Sequence, residues 1–251
     1  MDMILDADCH ITPFADGIQY DELLRRMDKA GVAQALTWLQ PNPLYPVDEG
    51  NAYIYEAWRA HPDRILPFGW AEPHHGVEKA KDTIRRCIEE YGFHGVKLNG
   101  AQNNFLIDDE KLSIPLIEAI AVTGKLLAFH IGTDAYEQTH PFRLGKMARR
   151  YPETRIIAVH MGGVAHRDLT AAMIEIAAEC PNITLVGSAV KTKAILKAIQ
   201  TLGAERVCFG SDTPFELMHV EVAKYHALLD GEIPPAEKEL VMGGNILRLV
   251  G

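Results

Sequence analysis

The sequence predicts an α/β fold, a (β/α)8 TIM barrel, as a single domain over residues 1–251. Three observations carry that expectation. Short apolar runs alternate with amphipathic helical stretches from end to end, the pattern of βα units on a parallel sheet. About eight such units fit the chain, and a closed barrel has typically about 250 residues. The first strand is followed by Asp8-Cys9-His10-Ile11-Thr12-Pro13, without the glycine-rich phosphate turn that usually opens a doubly wound sheet. That open sheet is the runner-up.

Taken in order, strands are expected over residues 3–8, 33–39, 65–70, 95–98, 126–130, 155–160, 183–187 and 206–210. Most are short apolar runs, as befits strands buried on both faces. The first helix, 20–30, places Leu23, Leu24 and Met27 at helical spacing and stops at Gly31. The second strand leads into Pro41-Asn42-Pro43-Leu44-Tyr45-Pro46. A helix over 77–91 stops at Gly92. The fourth strand leads into a second long loop, 99–109, and these two loops are candidate walls of a pocket. Helices follow at 114–122, stopped by Gly124, at 191–202, stopped by Gly203, and at 237–250. No linker or repeat interrupts the series.

Composition narrows the function classes. The chain has 251 residues and a net charge of −9, with 47% hydrophobic and 24% charged residues. That apolar content excludes a disordered chain. The acidic balance argues against a nucleic-acid partner, which needs a basic stripe; the Arg25-Arg26, Arg85-Arg86 and Arg149-Arg150 pairs read as solvated helix faces. No apolar run approaches the roughly 18 residues of a membrane span. The start lacks the basic and apolar regions of a signal peptide. The four cysteines are far apart with no Cys-x-x-Cys, which favours reduced thiols and a cytoplasmic location.

The chemistry-bearing residues fall at the ends of the expected strands, where a barrel keeps its active site. Asp8 and His10 end the first strand. Residues two apart share a face of a strand, so the pair can grip one ion while Cys9 turns outward; a polar cap on a strand end is the other reading. His130 and His160 each end an apolar run and precede glycines. Either alone is as readily a core histidine. Asp212, in Gly210-Ser211-Asp212-Thr213-Pro214, reads as a helix N-cap or as a site residue. Lys97, inside the apolar run Gly95-Val96-Lys97-Leu98, needs a partner because burying an unpaired charge is costly. It can pair with a carboxylate, bind an anionic substrate or carry a carboxyl group as a metal ligand.

At these residues the chain resembles the amidohydrolase superfamily, in the amidohydrolase 2 branch that includes relatives of aminocarboxymuconate-semialdehyde decarboxylase. The resembling pieces are Leu5-Asp6-Ala7-Asp8-Cys9-His10, Gly95-Val96-Lys97-Leu98, Phe129-His130-Ile131-Gly132, Val159-His160-Met161-Gly162-Gly163, Gly210-Ser211-Asp212-Thr213-Pro214 and Gly243-Gly244-Asn245-Ile246-Leu247-Arg248-Leu249, in the family's order. Each piece is short; the ordered set is specific. The resemblance implies Asp8, His10, His130 and Asp212 as metal ligands. Asp212 also handles a proton, and His160 stands beside the metal as a catalytic group. The family's usual first motif is His-x-His, and Asp8 departs from it. A carboxylate is the harder ligand and tilts the site toward manganese, and some decarboxylases of the branch carry a carboxylate there.

The resulting expectation is one divalent ion, zinc first and manganese as the alternative. A bound ion can lower its water's pKa to about 7. The leading expectation is therefore a metal-dependent hydrolase of a small amide, lactone or related carbonyl compound. The alternative is a metal-dependent lyase that decarboxylates or hydrates a small unsaturated or aromatic acid, and a non-catalytic barrel is the third reading. Lys97, Asn99 and Trp38 are the candidate substrate contacts, Lys97 for a substrate carboxylate. The partner is a small molecule, with no nucleic acid and no membrane. A homodimer follows from the resemblance alone.

Overall fold

The computed structural model describes residues 3–40, 46–132, 134–164 and 168–251. Strand β1 (Ile4–Ile11) pairs in parallel with β2 (Val32–Leu39), and β2 with β3 (Ile65–Pro67). Strand β4 (Gly69–Ala71) then begins a run of parallel pairs through β5 (Gly95–Leu98), β6 (Leu126–His130), β7 (Ile156–Val159), β8 (Ile183–Val186) and β9 (Val207–Cys208). The ring closes between last strand and first: Ala7 N donates to Phe209 O at 3.0 Å and His10 N to Thr213 O at 2.7 Å. This closure brings the Asp212 loop onto the end of β1.

The expected third strand, 65–70, divides between two neighbours. Its first half pairs with β2, and Phe68 N still donates to Thr37 O; its second half pairs with β5. Pro67 at the division has no N–H to donate. The eighth strand is shorter than expected, two residues rather than five.

The helices form the outer layer: α1 (Tyr20–Ala30), α2 (Val47–Ala60), α3 (Val77–Arg85), α4 (Ile114–Ala121), α5 (Tyr136–Thr139), α6 (Pro141–Arg150), α7 (Thr170–Glu179), α8 (Thr192–Leu202), α9 (Met218–Leu229), α10 (Pro235–Glu239) and α11 (Asn245–Val250). The stretch expected to be one helix over 77–91 is α3 continued by a wider turn, Arg86–Glu90, before Gly92 at φ 74°. The last expected helix is likewise broken, at Leu240–Gly244, where Gly243 leaves helical geometry. Among the described residues no helix is long and apolar enough to cross a membrane.

Two apolar clusters follow from the strand pleat. Leu5, Ala7, Leu36, Trp38, Phe68, Ala128, Ile157 and Val186 fill the barrel interior. Cys9, Ile11, Ala35, Val96, Leu127, Ala158 and Leu185 face the helices. The pairing of β1 with β2 shifts register between Asp6 and Cys9. Beyond that shift the Asp8 and His10 side chains meet at 3.3 Å while Cys9 packs outward.

Candidate active site

Asp8, His10 and Asp212 converge at the C-terminal end of the barrel. One potential ligand atom from each lies within 4.8 Å of the others, and all three residues are buried. His10 Nε2 stands 3.3 Å from Asp8 Oδ1 and 3.6 Å from Asp212 Oδ1. The ring is held from behind by Leu39 O, 3.0 Å from Nδ1. A carbonyl only accepts, so Nδ1 carries a proton and Nε2 keeps a lone pair for a donor or a cation. Trp38 Nε1–H also points at that nitrogen, 3.1 Å away, and donates to it when Nε2 is bare.

The donor set fits a divalent ion. Two carboxylates and an imidazole suit a metal that accepts hard ligands. Among the described residues Asp8 Oδ1 is buried with no hydrogen-bond donor; the Lys97 ammonium lies 3.7 Å away, and burying a carboxylate is costly unless cations compensate it. Burial pushes the Asp8 carboxyl upward, but the Lys97 ammonium, His10 and His160 overwhelm that effect and hold it far below the usual carboxylate range. Burial and Lys97 press the His10 imidazole down; Asp212 and Asp8 outweigh them and leave it above its ordinary value. A proton on Nε2 and a metal ion are thus alternatives at the same place.

Lys97 lies inside the barrel, fully buried, with Nζ 3.8 Å from the Trp38 ring centroid and 3.7 Å from Asp8 Oδ1. Burial pushes its ammonium down to about 8 against the pull of Asp8 and Asp212. Among the described residues it has no hydrogen-bond partner, and its contact with the Trp38 face is worth roughly 2 kcal/mol when desolvated.

His130 and His160 meet edge to face, ring centroids 4.7 Å apart. His130 stands outside the three-residue cluster, with Nε2 2.9 Å from Asp134 Oδ1. Gly132 makes that contact possible: a Cβ there would sit 2.5 Å from Asp134 Oδ1 and 2.9 Å from His130 Nε2. Burial holds the His130 imidazole below its ordinary value. His160 Nδ1 lies 3.0 Å from Ser188 Oγ and 3.7 Å from Asp8 Oδ2.

The backbone is bent where these side chains gather. His160 (φ 65°), Met161 (φ 38°), Ala189 (φ 53°) and Asp212 (φ 59°) all occupy the left-handed region. Such positions cost of order 1–3 kcal/mol each and persist where the surroundings impose them.

A cavity of about 490 Å³ opens over the cluster. Its wall includes His10, His130, His160 and Asp212, together with Asn99, Gln102, Asp134, Phe215 and Glu216. The 99–109 loop thus supplies wall residues, whereas 41–45 of the other expected wall lie outside the described residues. Asn99 is on the wall, its Oδ1 held by Gln102 N. Lys97 and Trp38 are not; they lie beneath it, within the barrel, behind Asp8 and His10. Trp70 likewise packs in the interior, its Nε1 on Asn103 Oδ1.

Sequence reasoning passed over Asp134, Ser188, Phe215 and Glu216. Ser188 had a readable signal, since it follows the seventh barrel strand as His160 follows the sixth. Phe215, whose ring meets His10 edge-on at 5.5 Å, and Glu216 sit just past Asp212. Asp134 is four residues beyond His130, and only the fold shows their side chains meeting at 2.9 Å.

Comparison with known proteins adds the lineage. The family model described as amidohydrolase matches residues 6–251. The 2-amino-3-carboxymuconate-6-semialdehyde decarboxylase of Dictyostelium discoideum is 25% identical over 236 residues, covering 80% of this chain. The match spans 65% of that relative's own length, just under two thirds. The gamma-resorcylate decarboxylase of Rhizobium sp. (strain MTP-10005) is 24% identical, covering 78% of this chain and 77% of the relative. Among solved structures, the dihydroxybenzoic acid decarboxylase of Polaromonas sp. JS666, with bound manganese and 2-nitroresorcinol, superposes with a TM-score of 0.78 at 21% identity. It covers 100% of this chain and 97% of that one.

These findings correct the leading expectation. Hydrolysis of an amide or lactone is overturned by relatives that are decarboxylases, enzymes that break a carbon–carbon bond. The physical reason the residues misled is that one ligand set serves both reactions. A metal beside an Asp and a His can polarise a carbonyl for water or hold a carboxylate that departs as CO2.

Proposed function

The chain belongs to the amidohydrolase family, and from that premise we propose that it is a metal-dependent decarboxylase of a small aromatic or unsaturated carboxylic acid. The observation that carries the reading is the decarboxylase character of its relatives, combined with a buried Asp8–His10–Asp212 cluster under one cavity. Residues 1–251 act as one barrel domain in this reading.

Asp8, His10 and Asp212 would hold the ion, with His130 as the fourth candidate once its Nε2 leaves Asp134. Manganese is favoured over zinc because two of the three ligands are carboxylates, and a structural neighbour was crystallised with manganese. When bound, a divalent ion supplies a Lewis-acidic centre that neutralises and orients substrate oxygens.

The chain's own groups do the rest. Phe215, beside His10, gives a ring an apolar neighbour on the cavity wall, and Asn99 and Gln102 add polar contacts there. The bond between the ring carbon and the carboxylate carbon breaks, and its electron pair stays on the ring carbon. Asp212 takes a proton from solvent and delivers it to that carbon, which returns Asp212 to its carboxylate form. His160 Nε2, bare when Nδ1 carries the proton, accepts from a hydroxyl beside the departing carboxylate.

The test is a panel of ortho-hydroxylated aromatic acids, 2,6-dihydroxybenzoate among them, given to manganese-loaded protein in D2O. The expected products are CO2 and an arene with deuterium at the former carboxylate carbon. A loaded protein that releases CO2 from no member of the panel contradicts the proposal.

A further inference from the structure

Ser188 is fully buried and lies two residues past β8, next to Ala189 in the left-handed region. Its Oγ is 2.5 Å from Asp8 Oδ2 and 3.0 Å from His160 Nδ1. The Ser188 carbonyl oxygen is 3.2 Å from the same Nδ1. Gly210 leaves room for this approach: a Cβ there would sit 3.1 Å from Asp8 Cβ and 3.3 Å from Ser188 Cβ. We infer that Ser188 is a positioning residue of the centre: its hydroxyl sets which oxygen Asp8 offers to the ion and ties that carboxylate to His160.

The direction of the bonds follows from proton counting. An ionised carboxylate only accepts, and a hydroxyl has a single proton. Ser188 therefore donates to Asp8 Oδ2, and its Oγ must accept from His160 Nδ1–H. The carbonyl of Ser188 also only accepts and demands the same proton on Nδ1. The chain runs Nδ1–H to Oγ–H to Oδ2. It occupies Oδ2 and leaves Oδ1, which has no hydrogen-bond donor among the described residues, toward His10 at 3.3 Å and Lys97 at 3.7 Å. Without the hydroxyl, His160 Nδ1 and Asp8 Oδ2, already 3.7 Å apart, are free to pair directly and draw the carboxylate off the centre. Groups that orient metal ligands in this way typically govern affinity 10–100-fold.

The inference rests on the metal-dependent decarboxylase reading for its functional consequence, so its test uses no turnover. The full chain, labelled with 15N-histidine and freed of metal, is observed by two-bond 1H–15N NMR above about pH 8, where an ordinary histidine is neutral. The His160 signals are assigned by their loss in His160→Gln. The expected result is a proton on Nδ1; an Nδ1 that carries none overturns the directed chain. Mn²⁺ affinity is then measured by competition with a chelating dye. Ser188→Ala should weaken it about 10–100-fold. Ser113→Ala, which removes an equally buried hydroxyl that donates to Leu106 O, should leave it unchanged. Unchanged affinity in Ser188→Ala, or an equal loss in Ser113→Ala, overturns the role. Should Ser188→Ala not fold, the wild-type spectrum still decides. An absence of decarboxylation would sink the functional reading while leaving both readouts intact.

Discussion

Asp212→Asn is expected to lower the rate of CO2 release by about a thousandfold while leaving the fold in place. The size follows from removing a group that holds and moves a proton, worth typically 10²–10⁴-fold. The choice of Asn is physical. Asp212 sits at φ 59°, and Asn is among the few residues with a side chain that visit that region readily. The neighbouring backbone bonds, Phe215 N and Glu216 N to Asp212 O, need no side chain. Single-turnover rates, with near-UV circular dichroism as the control for folding, check the prediction. A variant retaining a tenth or more of wild-type turnover would falsify the proton role given to Asp212.

The second large effect is on stability. In the metal-free protein, Asp8→Ala removes the carboxylate nearest Lys97 Nζ and strands a fully buried cation. Breaking one partner of a buried pair costs about 3–5 kcal/mol, and that loss is expected at pH 7 in denaturant unfolding. The pH dependence has a definite sign. Lys97 has a folded pKa of about 8, below its ordinary value of 10.5, so the folded state disfavours its proton. The penalty is full below the folded pKa and fades as pH rises toward the unfolded one. Loss of Asp8 pushes the folded Lys97 pKa lower still, so the deficit of the variant relative to wild type should shrink as pH rises toward about 8 and be gone above it. Adding Lys97→Met to Asp8→Ala should recover much of the lost stability, since an apolar side chain replaces the stranded charge. An Asp8→Ala protein as stable as wild type at pH 7 contradicts the pairing.

Much of the site could be read from strand ends. Asp8, His10, His130, His160 and Asp212 each stand at or just past an apolar run, and a parallel barrel delivers such positions to one rim. The spacing of Asp8 and His10 carried their shared face, because strand alternation is local. What could not be read depends on approach between distant segments. Ser188 meets Asp8 across 180 residues of sequence, and no local pattern marks that contact. Trp38 was expected on the pocket wall. Its alternation with Leu36 places it in the barrel interior instead, where its indole N–H reaches His10. Lys97 reads as a buried charge in need of a partner, whether a carboxylate, an anionic substrate or its own carboxylation, and only the fold shows that Asp8 stands beside it. The helix interruptions at Arg86–Glu90 and Leu240–Gly244 were hidden because the apolar spacing continues through them.

The reaction class is the least legible feature. Hydrolysis and decarboxylation share ligands, barrel and cavity position, and they differ in what the cavity presents to a metal-held oxygen. The carboxylate at position 8 is the one residue that departs from the His-x-His motif of the resembling family.

In the reading proposed above, Asp8, His10 and Asp212 would hold one divalent ion. The most direct test is the metal content of the purified full chain after loading with Mn²⁺ and desalting, beside the Asp8→Ala/His10→Ala double variant. The account predicts about one equivalent per chain in wild type, as for a mononuclear catalytic site, and none in the folded double variant. A wild-type chain that retains neither Mn²⁺ nor Zn²⁺ after loading, or a double variant that keeps its full equivalent, would contradict it.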